Sequence, residues 1–300
     1  MNVSVIIVNY NTSTLTLQCV QSLIEQTHGL EYEVIVVDNR SSSEQLVLLQ
    51  NDSRFQLVSS PKNLGFGRAN NLGATLAKGE YLFLLNPDTI VLNNAIFQLW
   101  NYMKHNPLCG IAGGNLYDES RKPTHSYHVW LPSTLSEIDF ACGQLFRRTL
   151  YGRNAQFNYT DKPREVAMIT GADLMIRRTL WDELNGFDDN FFMYYEDADL
   201  CMRVLQKKFK IMALPQSHII HLEGKSFHET EDHCRRILQG RFLFFHKHHC
   251  YSYNLLADFF NILSINMAIF VYTICNNKTS KANMQIRLKV YKQLMSNTNK

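Results

Sequence analysis

The sequence predicts an α/β protein with a mostly parallel central sheet flanked by helices, followed by a C-terminal helical extension. Three observations carry this expectation. Short β-branched runs, Val3–Val8 (VSVIIV) and Glu33–Val37 (EVIVV), are bounded by turn residues in the manner of strands buried on both faces. Segments of helical period separate such runs, and strands recur roughly every 25–30 residues, the spacing of βαβ units with right-handed crossovers. Across 300 residues, 45% hydrophobic and 12% aromatic content suffices for a sizeable core and excludes disorder as the main state.

The elements follow in order. After the first strand, Leu15, Cys19, Ser22/Leu23 and Gln26 recur at helical spacing, with Thr12 to Thr14 available as caps. Further strands fit Phe55–Val58 and Tyr81–Leu85, with a helix from Arg68 to Lys78 between them. Tyr117 to Pro163 has weaker periodicity and several prolines, and reads as loops or a small hairpin excursion. Order returns at Val166–Ile176, then come a helix from Thr179, a turn at Asn185-Gly186, a helix around Ala198–Lys207 and a last strand at Lys210–Leu214. These elements divide the chain into a first domain over 1–230 and a helical extension over 231–300.

Charge and cysteine usage narrow the function classes. Thirty Lys+Arg against twenty-seven Asp+Glu leave a net +3, too balanced for a dedicated nucleic-acid binder. The balance hides an asymmetry: residues 276–300 hold six bases and no acid, so the rest of the chain is net −3. Seven scattered cysteines without a C-x-x-C pair read as reduced thiols, and the first residues lack the basic region of a secretory leader, so a cytoplasmic protein is expected. Leu255–Cys275 is apolar and long enough to span a bilayer. However, Asn254, Asp258, Asn261, Ser264/Ile265 and Ala268 form a polar stripe at helical spacing, which favours a helix on a membrane surface or packed on the protein over one that crosses. The basic tail would add attraction to an anionic leaflet.

In open α/β sheets, ligands bind beyond the carboxyl ends of the strands. The residues there are Asn9/Tyr10/Asn11, Asp38/Asn39 and Asn86/Pro87/Asp88. Pro87 ends its strand and aims Asp88 outward, where a carboxylate can hold a divalent cation against a phosphate. The run Gly65 to Gly73 fails as a dinucleotide fingerprint because its third glycine comes too late; it reads as a turn opening a helix, with Arg68 available to a diphosphate. Glu196, Asp197 and Asp199 follow an aromatic run and open a helix. Dipole capping explains acids there, but a partly desolvated carboxylate would also suit general-base work. His218 and His221 fall on opposite faces of a strand, so they do not pair as zinc ligands, and a single imidazole joining a carboxylate at a metal fits better. The cluster His246/His248/His249 reads as solvated or interfacial.

Taken together, Val8-Asn9-Tyr10-Asn11, Val37-Asp38-Asn39-x-Ser41-Ser42, Asn63-x-Gly65-Phe66 through Asn70-Asn71-x-Gly73, Asn86-Pro87-Asp88, Gly171-Ala172, and Phe187-Asp188 to Glu196-Asp197-x-Asp199-Leu200 resemble the family 2 glycosyltransferases, in particular the rhamnosyltransferase and galactofuranosyltransferase branch. The resemblance covers about residues 3–228. It implies a GT-A fold, a nucleotide-diphosphate sugar donor, a glycan or glycolipid acceptor, Mg²⁺ or Mn²⁺, and inversion by single displacement. It implies a donor side formed by Asn9, Tyr10, Asn11, Asp38, Asn39, Gly65, Arg68, Asn70 and Asn86, with Asp38 on the base or ribose. By the same resemblance Asp88 and His221 bind the metal, with Gly224 and Ser226 following. Asp197 is the base with Glu196 its acidic neighbour, and Gly171 and Ala172 line the acceptor side. One departure is that the usual D-x-D is Asn86-Pro87-Asp88, so the first carboxylate is missing and His221 carries more of the metal binding. The helical extension would suit peripheral contact with the inner membrane leaflet and a lipid-linked acceptor. Two other readings are a sugar-nucleotide nucleotidyltransferase, which would want a glycine-rich turn after strand 1, and a membrane-associated scaffold whose site has decayed.

Overall fold

In order along the chain, a computed structural model places β1 (Val3–Asn9), α1 (Ser13–Gln26), β2 (Tyr32–Asp38), α2 (Ser43–Gln50), β3 (Gln56–Ser59), α3 (Phe66–Leu76), β4 (Tyr81–Leu85), β5 (Thr89–Val91), α4 (Ala95–His105) and β6 (Cys109–Tyr117). After these come β7 (Tyr127–His128), α5 (Thr134–Ala141), α6 (Leu145–Tyr151), β8 (Arg164–Val166), β9 (Met168–Ile169), β10 (Asp173–Arg177), α7 (Arg178–Glu183), α8 (Glu196–Gln206) and β11 (Lys210–His221). Three helices complete the chain, α9 (Glu231–His248), α10 (Tyr251–Ile274) and α11 (Lys278–Thr298). The structure describes residues 1–222 and 230–298; Gly224 and Ser226, expected after the metal histidine, lie outside them.

The main sheet runs β3-β2-β1-β4-β10-β6-β11-β5, with β8 added on β11. Its first half is wholly parallel, β2 on β1, β3 on β2 and β1 on β4, as βαβ crossovers require. The second half is mixed. β10 runs antiparallel to β4 and β6, β11 is parallel to β6, and β5 and β8 pair antiparallel with β11. Strand alternation sorts the core into two layers: Ile6 and Val8 with Leu82 and Leu84 on one face, Val5 and Ile7 with Phe83 and Leu85 on the other. All of these are buried, which is why β1 and β4 read as unbroken apolar runs.

Several elements differ from the sequence reading, in which β5 and α4 have no counterpart. The last strand extends past Leu214 to His221, crossing Pro215 at an irregularity in its pairing with β6 between Ala213 and His218. A proline is tolerated at such a break but hides the strand in the sequence. β6 (CGIAGGNLY) passes unread because its glycines lower strand propensity. The middle segment forms the hairpin β7–β9 and also two short helices, α5 and α6. Ser133 caps α5 through a reciprocal bond with Ser136, where the more recognisable signal would have been Glu or Gln.

Candidate active site

The site forms at the carboxyl ends of β1, β2 and β4 and at the start of β10. Asn9, ending β1, is buried and works as a hub: its amide donates to Asp38 Oδ1 (2.9 Å) and Ser41 Oγ (3.0 Å) and its carbonyl oxygen accepts from Thr12 and Thr16. Asp38, at 1% exposure, also accepts the Ser41 amide on Oδ2 at 3.1 Å, so both of its oxygens are engaged inside the protein. Asn39 reaches the glycine turn, accepting the Leu64 amide (2.7 Å) and donating to Asn63 (3.1 Å) and the Gly65 carbonyl (3.2 Å). Tyr10 and Asn11 stay open, Tyr10 half exposed and Asn11 with φ 55°.

The glycine turn is docked on the acidic turn. Gly65 has φ 84°, and a Cβ there would lie 2.1 Å from the Phe192 carbonyl oxygen, so only glycine permits this approach. The Phe66 amide donates to that same carbonyl at 2.9 Å. α3 adds two clamps: Arg68 donates to the Asp189 carbonyl (2.6 Å), and Asn71 exchanges bonds with Phe187 (2.8 and 2.9 Å). Asn70 is buried and bonded to the Phe66 carbonyl within its own helix.

The three acids of α8 have three different surroundings. Asp199 is fully buried and accepts from Arg203 (2.8 Å), Lys247 (2.7 Å) and His248 (2.8 Å), which ties α8 to α9. His248 is therefore interfacial, not solvated. Glu196 is buried beneath Gly67, and its Oε2 has no hydrogen-bond partner among the described residues. Burial, then the neighbouring Asp197, pushes its pKa up to about 8, so its carboxyl is mostly protonated at neutral pH. Asp197 is partly exposed and held by the amides of Ala198 (2.8 Å to Oδ1) and Gly171 (3.2 Å to Oδ2). Desolvation raises its pKa above the usual carboxylate range, with those amides opposing the shift. Tyr194 and Tyr195, just before them, have φ 72° and 70°, two consecutive side-chain-bearing residues in the left-handed region.

The second cluster lies beyond β4. Asp88 Oδ1 and Asn86 Nδ2 both sit 3.3 Å from His221 Nε2. Asn86 Oδ1 is buried without a partner among the described residues. The start of β10 joins the two clusters through consecutive residues. The Gly171 amide donates to Asp197, the Ala172 carbonyl accepts the Asn86 amide at 3.0 Å, and Asp173 accepts the Gly114 amide at 2.6 Å within electrostatic reach of His221. Asp173 escaped the sequence reading. Its one signal was a carboxylate inside the apolar run Asp173-Leu174-Met175-Ile176, and burial holds its pKa well above the usual range.

Among the described residues, no group of three His, Cys, Asp or Glu side chains is arranged to hold a metal ion. Asp88 and His221 nonetheless converge on one point with an unsatisfied amide oxygen beside them. A Mg²⁺-type ion commonly takes one or two protein ligands and completes its shell with phosphate oxygens and water, so this donor set fits a cation that arrives with a diphosphate.

A parallel half-sheet with polar strand ends, joined through β10 to a mixed half that faces an acidic helix start, defines the class: a glycosyltransferase of the GT-A fold. The chain belongs to glycosyl transferase family 2, whose pattern matches residues 4–184; residues 152–227 also match the family described as the N-terminal domain of galactosyltransferase. It is 26% identical over 204 residues to the rhamnosyltransferase WbbL of Escherichia coli K12, covering 63% of this chain and 72% of WbbL. It is 27% identical over 204 residues to the glycosyltransferase GlyG of Streptococcus pneumoniae serotype 4, 64% of each chain. With the O-antigen biosynthesis protein RfbC of Myxococcus xanthus it shares 26% identity over 227 residues, 75% of this chain but 17% of RfbC. Among solved structures, GalNAc-T7 with UDP, GalNAc and Mn²⁺ superposes with a TM-score of 0.58 at 17% identity, over 79% of this chain and 47% of that one.

Proposed function

We propose that the protein is an inverting, metal-dependent glycosyltransferase that moves a rhamnose or other hexose from a nucleoside-diphosphate donor to a hydroxyl of a growing, lipid-linked bacterial surface glycan. It works in the cytoplasm, at the inner face of the plasma membrane. The observation that carries this reading is the bridge at Gly171–Ala172, which sets a desolvated carboxylate one residue from the contact with Asn86, in the turn after β4 that carries Asp88, against which His221 of β11 lies. Kinship with the O-antigen biosynthesis protein RfbC supports the surface-glycan acceptor, and kinship with the rhamnosyltransferase WbbL supports rhamnose as the sugar.

Transfer by single displacement needs a base on the acceptor oxygen and charge neutralisation on the departing diphosphate, on opposite sides of the anomeric carbon. Asp197 is the base: the Gly171 and Ala198 amides fix its oxygens, and its raised pKa brings it closer to the affinity a hydroxyl proton requires. It takes the acceptor proton as that oxygen attacks the sugar. Glu196 stays protonated behind it and so adds no second negative charge to repel the incoming oxygen. On the donor side Tyr10 and Asn11 meet the nucleoside, while Asn9, Asp38 and Asn39 hold the strand ends and the Gly65 turn in shape. Arg68 and Asn70 keep α3 seated beneath that turn. Asp88 and His221 hold Mg²⁺ or Mn²⁺, which when bound offsets the charge of the leaving diphosphate.

Thermal shift against UDP, dTDP, GDP and CDP, each with and without Mn²⁺, tests the donor half. Ligand at about 100 times Kd stabilises the native state by about 2.7 kcal/mol. A metal-dependent shift with one nucleotide is the expected result. A folded sample that responds to none of the four returns the chain to the scaffold reading.

A further inference from the structure

α10 is packed with its polar stripe inward. Asn254, Asp258, Asn261 and Ser264 are all buried, while Phe259 (59% exposed), Phe270 (66%) and Ile274 (68%) face outward. The inward contacts are specific. The Arg241 guanidinium of α9 is buried and donates to Asp258 (2.8 Å), Glu137 of α5 (2.8 Å) and the Tyr291 hydroxyl of α11 (3.0 Å). Asn261 donates to the other Glu137 oxygen (3.1 Å), and the Tyr253 hydroxyl accepts the Thr134 amide (2.9 Å). α5 is thus locked to α10, and α5 and α6 also turn apolar residues outward: Leu135 (71%), Phe140 (54%) and Leu150 (69%).

We propose that the outer faces of α10 and of α5–α6 together form a docking surface for an anionic lipid bilayer, on which the protein lies without crossing. This deepens the lipid-linked acceptor reading and rests on it. Charge selects the occupant. Residues 134–155 and 250–298 hold three acids, Glu137, Asp139 and Asp258; each is ion-paired to an arginine inside the protein. Of the bases, Arg148 on α6, Arg153 just after it, Lys278 just after α10 and Lys292 on α11 are exposed. An apolar face with basic flanks and no outward acid complements anionic headgroups over acyl chains, whereas a second copy would oppose basic flank to basic flank. A span is disfavoured by the same contacts, although α10 is long and apolar enough for one. Crossing would strip Asp258 and Asn261 from their partners and leave Arg241 buried without its carboxylate.

The test is vesicle flotation of the full chain with phosphatidylglycerol–phosphatidylethanolamine and with phosphatidylcholine alone, at low and high salt. The proposal expects binding to the anionic vesicles only, weakened by salt. It also expects at least about tenfold weaker partitioning for Phe259→Glu/Phe270→Glu and, separately, for Leu135→Glu/Phe140→Glu. Extraction of the bound protein by alkaline carbonate is expected, and resistance to it would overturn the surface geometry in favour of a span. Undiminished binding of the α5 pair would overturn the composite face, and a dimer that ignores vesicles would overturn the lipid partner. The metal-dependent nucleotide shift of each variant, expected unchanged, reports folding. Its absence from the native protein would count against the glycosyltransferase reading, separately from the vesicle result.

Discussion

Glu196→Gln isolates the cost of the buried carboxyl at the centre of the acidic turn. Burial raises the Glu196 pKa from the usual 4.5 to about 8. A group whose folded pKa is raised contributes its full stability below the unfolded value and loses it as pH rises through the folded one. At pH 7 the unfolded chain carries Glu196 ionised and must take up a proton to fold, which costs about 3 kcal/mol at 1.36 kcal/mol per pH unit above 4.5. Glutamine carries no such term. Its extra N–H donor adds a penalty of about 1–3 kcal/mol in a cavity where Oε2 already has no partner among the described residues, but that penalty is the same at every pH. The readout is therefore the change with pH in the melting-temperature difference between variant and native protein. It should move in the variant's favour by about 6 °C between pH 4.5 and pH 7, taking about 2 °C per kcal/mol for a chain of this size. A difference that stays constant across that range would refute the reasoning, since Glu196 would then be ionised and compensated in the fold.

Further outcomes follow from the same geometry. Asp197→Asn should lower the transfer rate by about 10²–10⁴ while leaving the nucleotide thermal shift intact; a lost shift would make Asp197 structural. The native rate should rise with pH along an acid limb displaced above the ordinary carboxylate range, because the base must be ionised and Asp197's pKa is raised; a limb at the usual position would contradict its desolvation. Asp88→Asn should abolish the Mn²⁺-dependent part of the nucleotide shift and spare any metal-independent part. Gly240→Ala on α9 would place a Cβ 2.4 Å from the Tyr194 carbonyl oxygen. It should cost about 1–3 kcal/mol in stability and, by displacing the strained turn before Glu196, more activity than the melting point alone explains.

The parallel half of the sheet was legible because β1, β2 and β4 are buried on both faces and therefore spell continuous apolar runs. The mixed half was less so, since β6 is glycine-rich and β11 crosses Pro215. At the site, the acids Asp88 and Asp197 were readable as polar residues at element ends, and the fold brings His221 to 3.3 Å from Asp88. What the sequence could not separate was the division of labour within Glu196-Asp197-x-Asp199. That depends on Lys247 and His248, dozens of residues away, neutralising Asp199, and on the Gly171 amide orienting Asp197. The orientation of α10 was hidden for the same reason. Its polar stripe reads identically for a helix facing water and one facing Arg241, a partner on another helix.

The most direct measurement is ¹H NMR of nucleotide-sugar turnover with water as acceptor, following the anomeric configuration of the sugar first released by the Mn²⁺-loaded protein. Release of the anomer opposite to that of the donor, lost in Asp197→Asn, is the result expected of an inverting transferase with this base. Release of the donor's own anomer, or turnover that survives Asp197→Asn, would contradict it.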